Sequence, residues 1–413
     1  MQKVRNLILV GCTTMFLGAT LACQVAVSLG ANVPAQLAPN QEGYNYLEGR
    51  NYTELPALSV ANFTDGSFQD NLESHLADAV PLRSNVLLAN AALQRTSIAE
   101  MAGLMGYEVY PTFFGSDFVY STASDAVYQA PLTQDRCNVR AMEKSLSSYN
   151  KFAESHPELR CFFAMPTRSN ALSFEPFTSL VSSPVTNQFY DGVVAGTLGS
   201  SITPVDITVK SFDDFDRTYF RTDHHWTIDG AYNAYCTLAT ALGYGDELVV
   251  PDEALLYENA QFNGSNARQG LEAAQEADAF MDYEFDLPAF TLTVDGEPTD
   301  TAHLANFRRY TTGNYSTVPF FNYYSNYFHS DHGLMTIQVE EERGRGSLLI
   351  VGDSYTNPIE RLFTAHYDTV YVYDPRHATE SLSEFVAHTE VDDVVVCLCY
   401  QTLCSGKPVE NLA

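Results

Sequence analysis

Apolar residues between positions 63 and 104 fall at helical spacing, with Leu72, Leu76 and Val80 in one set and Leu87, Leu88 and Ala91 in the next. Pro81 separates the two sets and predicts a break between them. Residues 107–120 read as a short hairpin around Phe114-Gly115-Ser116-Asp117. Val139, Met142, Leu146, Tyr149 and Phe152 then form one stripe of an amphipathic helix. That helix leads into Arg160-Cys161-Phe162-Phe163-Ala164-Met165, a largely apolar run ended by Pro166 and suited to a parallel strand buried on both faces. A second helix is predicted from Thr227 as its N-cap, with Ile228, Ala231, Tyr235, Leu238 and Leu242 on its apolar side and Gly243 as its stop. Residues 245–332 show no clean period and are acidic and aromatic, so they read as an irregular, lid-like insertion. The last part alternates: strand 347–351, helix 357–366, strand 369–373, helix 380–388, strand 394–398. Such alternation predicts an α/β fold with a parallel sheet and right-handed crossovers.

The amino terminus changes the picture of where this domain works. Lys3 and Arg5 precede a charge-free run over 6–39, whose apolar part covers about 7–29. A basic flank before an apolar stretch predicts a signal peptide or signal anchor over 1–30, a linker over 31–56, and a domain over 57–413 outside the cytoplasm. Thr20-Leu21-Ala22-Cys23 is a poor lipoprotein box, and lipidation at Cys23 stays an open alternative. The formal charge of -29 disfavours nucleic acid as a partner and leaves the membrane contact to the N-terminal segment alone. The eight cysteines match no zinc spacing, and one disulfide among them is possible without being assignable. No cofactor is implied.

Two short motifs carry chemistry. Val351-Gly352-Asp353-Ser354-Tyr355 lies where a buried strand gives way to a predicted helix, the edge at which open parallel sheets place their reacting groups. Ser354 is there a candidate nucleophile, with backbone N–H groups nearby for an oxyanion, that of Tyr355 among them; an ordinary helix cap is the alternative. Arg221-Thr222-Asp223-His224-His225-Trp226-Thr227 precedes the second helix. A serine needs a base, usually a histidine oriented by a carboxylate. His225 is the candidate base and Asp223 its orienter, because side chains two apart in an extended segment project to one side. A structural histidine pair, or a metal held by Asp223, His224 and His225, are the alternatives. Trp226, the chain's single tryptophan, is placed either against a sugar or in the core. Arg168 and Arg376 follow predicted strands and are candidates for binding an acyl or sugar oxygen, or else for local ion pairs.

Thr222-Asp223-His224-His225-Trp226-Thr227 resembles the signature of the DHHW family of bacterial surface proteins, related to the SGNH-like domains of alginate O-acetylation proteins of the AlgX and AlgJ type. The segment from Glu73 to Arg83, the turn Phe114-Gly115-Ser116-Asp117-Phe118, Pro166-Thr167-Arg168 and Gly352-Asp353-Ser354-Tyr355 extend the likeness, with Phe118 in place of a glycine and Arg168 in place of a lysine. The resemblance implies a three-layer α/β/α SGNH-hydrolase-like sandwich with Ser354, His225 and Asp223 as its catalytic set. It also implies a serine O-acetyltransferase or esterase acting on a cell-surface polysaccharide, with a membrane O-acyltransferase as acyl donor partner. A non-catalytic glycan-binding or assembly protein of the same fold, and a metal-dependent hydrolase, are the rival readings.

Overall fold

The computed structural model describes residues 10–413 except 12–13, 16–17, 24, 28, 35–36, 38–42, 176, 273, 314, 317, 319 and 410. Eight strands form the main sheet: β1 (Arg160–Ala164), β2 (Ile202–Val205), β3 (Phe290–Val294), β4 (Glu297–Thr299), β5 (Leu334–Val339), β6 (Ser347–Gly352), β7 (Thr369–Tyr373) and β8 (Asp393–Cys397), in the order β4-β3-β5-β7-β6-β8-β1-β2. The five from β7 to β2 run parallel, and β5, β3 and β4 add antiparallel pairs on the β7 side. The fold is therefore mixed α/β with a large, mostly parallel sheet.

The parallel strands lack polar alternation because both their faces are covered. Phe162 and Ala164 of β1, Leu348 and Ile350 of β6, and Val395 and Cys397 of β8 enter one core, beneath the helix Ile228–Leu242. Their neighbours Cys161, Phe163, Leu349, Val351, Val394 and Val396 enter another, beneath the helices Val139–Ser155, Asn187–Thr197 and Leu382–His388. Burying each large aliphatic chain contributes about 1.5–3 kcal/mol, so the sheet's centre, under β6 and β8, is its most strongly held part.

Most predicted elements stand where the pattern put them. The Pro81 break separates the helices Ser67–Asp78 and Arg83–Met105, and the 107–120 hairpin gains a third strand, Ala126–Gln129. Two expectations are corrected. Residues 357–366 form no α-helix but a turn followed by the 3-10 helix Glu360–Ala365. The 245–332 stretch is not irregular throughout: it supplies β3 and β4 and a separate hairpin, Glu253–Phe262 with Asp278–Glu284. A register shift between Tyr257 and Gln261 breaks that hairpin's alternation. Its buried side joins Phe220, Tyr310, Tyr323, Tyr327 and Phe328 in an aromatic core drawn from short segments, which is why no period shows in the sequence. The predicted N-terminal targeting segment lies partly outside the described residues, and among these no helix is long and apolar enough to cross a membrane. The seven described cysteines are all free thiols.

His366 lies fully buried, stacked at 4.5 Å on Tyr244, with its Nε2 2.8 Å from the Tyr235 hydroxyl. Burial, helped by Arg345, pushes its pKa down to about 4. An unfolded histidine titrates near about 6.5, so between roughly pH 6.5 and 4 the unfolded chain binds a proton that the folded chain refuses. This stability contribution is complete above that window and falls with pH through it. The urea midpoint should therefore drop on acidification from neutrality, and His366→Phe should make the drop shallower.

Candidate active site

The six residues 220–225 form a closed loop ahead of the helix Ile228–Leu242, pinned by an antiparallel bridge between Tyr219 and Trp226 and by the Phe220 N–H donating to the His225 carbonyl at 3.1 Å. Inside it the chain is not extended. The His225 N–H donates to Asp223 Oδ1 at 2.9 Å, an Asx-type turn that folds the two side chains together. His225 Nδ1 then lies 2.6 Å from the same carboxylate oxygen. On the other side of the ring, His225 Nε2 lies 2.7 Å from Ser354 Oγ. Asp223, His225 and Ser354 thus form one continuous hydrogen-bonded line, brought together from positions 131 residues apart at most.

Ser354 comes to this point on the end of β6. Asp353 is buried, and its Oδ2 accepts from the Cys399 N–H at 2.9 Å and from Thr402 Oγ1 at 2.8 Å, tying the serine's turn to the segment after β8. The Tyr355 N–H donates to Asp353 Oδ1 at 3.2 Å, a contact it must release to serve an oxyanion.

Both oxygens of Asp223 are satisfied, since the Ser265 N–H donates to Oδ2 at 2.5 Å. Burial opposes ionisation of Asp223, but the fields of His224 and His225, the His225 hydrogen bond and the Ser265 N–H outweigh it and hold the carboxyl well below its ordinary range. His224 is pushed the other way: burial first, and the Arg168 guanidinium after it, keep its pKa well below the usual histidine value. His224 Nδ1 lies 2.6 Å from Ser265 Oγ. Asp223, His224 and His225 also bring one donor atom each within 4.8 Å of one another, but an ion on His225 would displace Asp223 or Ser354 from the hydrogen-bonded line.

The other residues singled out in the sequence lie apart from this line. Trp226 is 2 % exposed and packs edge-on against Tyr355 at 5.2 Å, so it belongs to the core. The Tyr355 ring is buried too, its hydroxyl donating to the His224 carbonyl at 2.5 Å. Arg168 is buried beneath the serine's turn, near Tyr355, Cys399 and Asp353, with no partner for its Nε. Arg376 is held by Asp374 at 2.6 Å and Asp331 at 2.8 Å, the local ion pair that was its alternative reading.

Two groups from the 245–332 stretch had no sequence signal. Tyr324 stacks on His225, with ring centroids 3.9 Å apart and planes at 7°, and its hydroxyl donates to the Ser354 carbonyl at 2.8 Å. Gly264, beside Ser265, touches Asp223. A cleft of about 450 Å³ opens past Ser265, between Tyr44, Tyr46, Arg268 and Phe321.

No protein-family model matches the sequence, and no curated protein matches it significantly. Solved structures do. A DHHW family protein from Eubacterium siraeum aligns over 71 % of this chain and 95 % of its own, at 18 % identity and a TM-score of 0.54. The chain shares the DHHW protein's fold. PatB1 of Bacillus cereus, in a structure with a sulfonyl adduct, covers 69 % of this chain and 97 % of its own at 14 % identity and a TM-score of 0.54; a second PatB1 structure gives 16 % and 0.51. The DHHW likeness read from Thr222 to Thr227 and the likeness of the folds agree. At these identities only the fold is shared ground, and the chemistry has to come from the site's own geometry.

A Cβ built on Gly264 would stand 2.3 Å from Asp223 Oδ2 and 2.4 Å from its Cβ. Gly264→Ala should therefore cost about 1–3 kcal/mol, as overpacking of a tight site does, measured by urea denaturation.

Proposed function

We propose that this chain is an extracytoplasmic serine acyltransferase or esterase acting on O-acetyl groups of a cell-surface polysaccharide. The observation that carries the reading is the unbroken line Asp223–His225–Ser354, at 2.6 and 2.7 Å. His225 Nε2 takes the proton of Ser354 Oγ as that oxygen attacks the acetyl carbonyl carbon. The ionised Asp223 holds the ring through Nδ1 and stabilises the imidazolium that forms. The C–O bond of the donor ester breaks, the departing oxygen takes the proton from His225, and the acetyl group remains on Ser354. A sugar hydroxyl, deprotonated in turn by His225, attacks that acyl-serine and regenerates the enzyme; water in its place releases acetate.

The acidic surface and the aromatic cleft beside Ser265 suit an uncharged or weakly charged glycan better than a polyanion. The SGNH-type assignment, the export of residues 57–413 by the N-terminal segment, and a membrane O-acyltransferase as acyl donor belong to the same proposal. The export rests on the basic flank and apolar stretch of the N-terminal segment, and the other two on the sequence likeness around Thr222 to Thr227. The sulfonyl adduct of PatB1 suggests the reagent for the first test.

A sulfonyl fluoride should label wild-type protein at Ser354 and leave Ser354→Ala unlabelled. Incubation with an activated acetyl ester should add one acetyl group to Ser354 by mass spectrometry. Asp223→Asn should slow ester turnover by about 10⁴-fold, as loss of the orienting carboxylate does in serine hydrolases. Turnover unchanged in Ser354→Ala would overturn the proposal.

A further inference from the structure

Outside the serine site, three histidines from two distant segments of the chain meet. His303 ends the 3-10 turn Thr301–His303, just after β4. His329 and His332 lie in the connection between the helix Tyr323–Phe328 and β5. The Nε2 atoms of His303 and His332 face each other at 3.0 Å. One ring nitrogen from each of the three residues lies within 4.8 Å of the others. Tetrahedral zinc–imidazole bonds of about 2.0–2.1 Å place ligand nitrogens roughly 3.4 Å apart, so the His303–His332 pair stands near the separation a shared ion imposes, and the third nitrogen, within 4.8 Å, closes on the ion as it enters.

Two of the three rings have a carboxylate or a carbonyl beside them. Metal-bound imidazoles are usually held from behind by carboxylates or carbonyls. Here Asp295 Oδ2 lies 3.5 Å from His332 Nδ1, while Glu360 Oε2 and the Ser330 carbonyl lie 3.0 and 2.8 Å from the two nitrogens of His329. Metal entry exchanges one of the two His329 contacts. His329 also has a backbone φ of 101°, a conformation that a side-chain-bearing residue holds only when its surroundings impose it.

We propose that His303, His329 and His332 bind one divalent transition-metal ion of the zinc class, with an open fourth position. Imidazole nitrogens select Zn²⁺, Co²⁺ or Ni²⁺ over Mg²⁺ and Ca²⁺. The ion clasps the 301–332 segment to the chain after the serine. Glu360, behind His329, also accepts from Thr356 Oγ1 at 2.7 Å, and Asn357 Nδ2 donates to the His329 carbonyl at 3.2 Å. The inference is independent of the acyl chemistry proposed for Ser354.

The test uses the untagged full chain, stripped with a chelator and titrated with Co²⁺ and, in competition with a chromophoric chelator, with Zn²⁺. One equivalent of Co²⁺ should give the strong visible absorption of a tetrahedral site, and Zn²⁺ should displace it and raise the melting temperature. His303→Gln, His332→Gln should lose the band and the thermal shift, whereas His225→Gln should keep both. Asp295→Asn should keep the band but weaken Zn²⁺ about tenfold, as loss of a supporting carboxylate does. If the double variant does not fold, His332→Gln alone, on its half-buried loop, decides by the same band. No band in the wild type overturns the proposal, as does a band that survives loss of His303 and His332 or vanishes with His225.

Discussion

Taking the Asp223 carboxylate out of water costs several kcal/mol unless its oxygens are given fixed hydrogen-bond donors. The His225 N–H, the His225 ring and the Ser265 N–H provide them, and much of the nearby architecture follows from that need. The loop closes so that His225 can meet Asp223 twice. The chain at 264 has no side chain because the carboxylate occupies the space one would fill. Thr222, next to Asp223, donates through its hydroxyl to Asp278 at 2.6 Å, and through that residue the 253–284 hairpin is drawn onto the loop. A buried charge of this kind is weak evidence of stability but a strong determinant of one arrangement, since removing any donor leaves an uncompensated ion.

The sequence made the sheet's centre legible because strands buried on both faces spell themselves as unbroken apolar runs. Arg160–Ala164, Ser347–Gly352 and Asp393–Cys397 all read that way. The helix from Ile228 was equally plain, with a threonine whose side chain accepts from the Gly230 N–H at one end and Gly243 at φ 103° at the other. Asp223, His225 and Ser354 could be picked out because each stands in a short motif at the edge of such an element. Asp223 and His225 stand side by side through a turn and not through the extended segment their spacing predicts.

What stayed hidden depends on contacts between distant segments that are individually short. β5 and β3 pair as Ile337 with Leu292 and Thr336 with Thr293, yet neither strand announces itself beside its acidic surroundings. Arg361 and Asp282 form a buried ion pair at 2.8 Å, with the Tyr327 hydroxyl donating to the same carboxylate oxygen. Nothing in either local sequence foretells the partner. The aromatic core around Phe280 is built from rings at irregular intervals, and irregular intervals are what periodicity analysis discards. The same blindness conceals Tyr324 and the meeting of His303 with His332.

Tyr324 has a consequence for modularity. Its ring covers one face of the His225 imidazole and its hydroxyl grips the Ser354 backbone, although it belongs to neither motif and comes from the stretch between them. The two motifs are therefore not a portable cassette. Grafted into a relative with a different loop in that place, they would keep their hydrogen bonds to each other but lose the roof over the histidine. Divergence among proteins of this fold has a natural place to act: the residue that closes over the imidazole can be exchanged without altering a single letter of either signature.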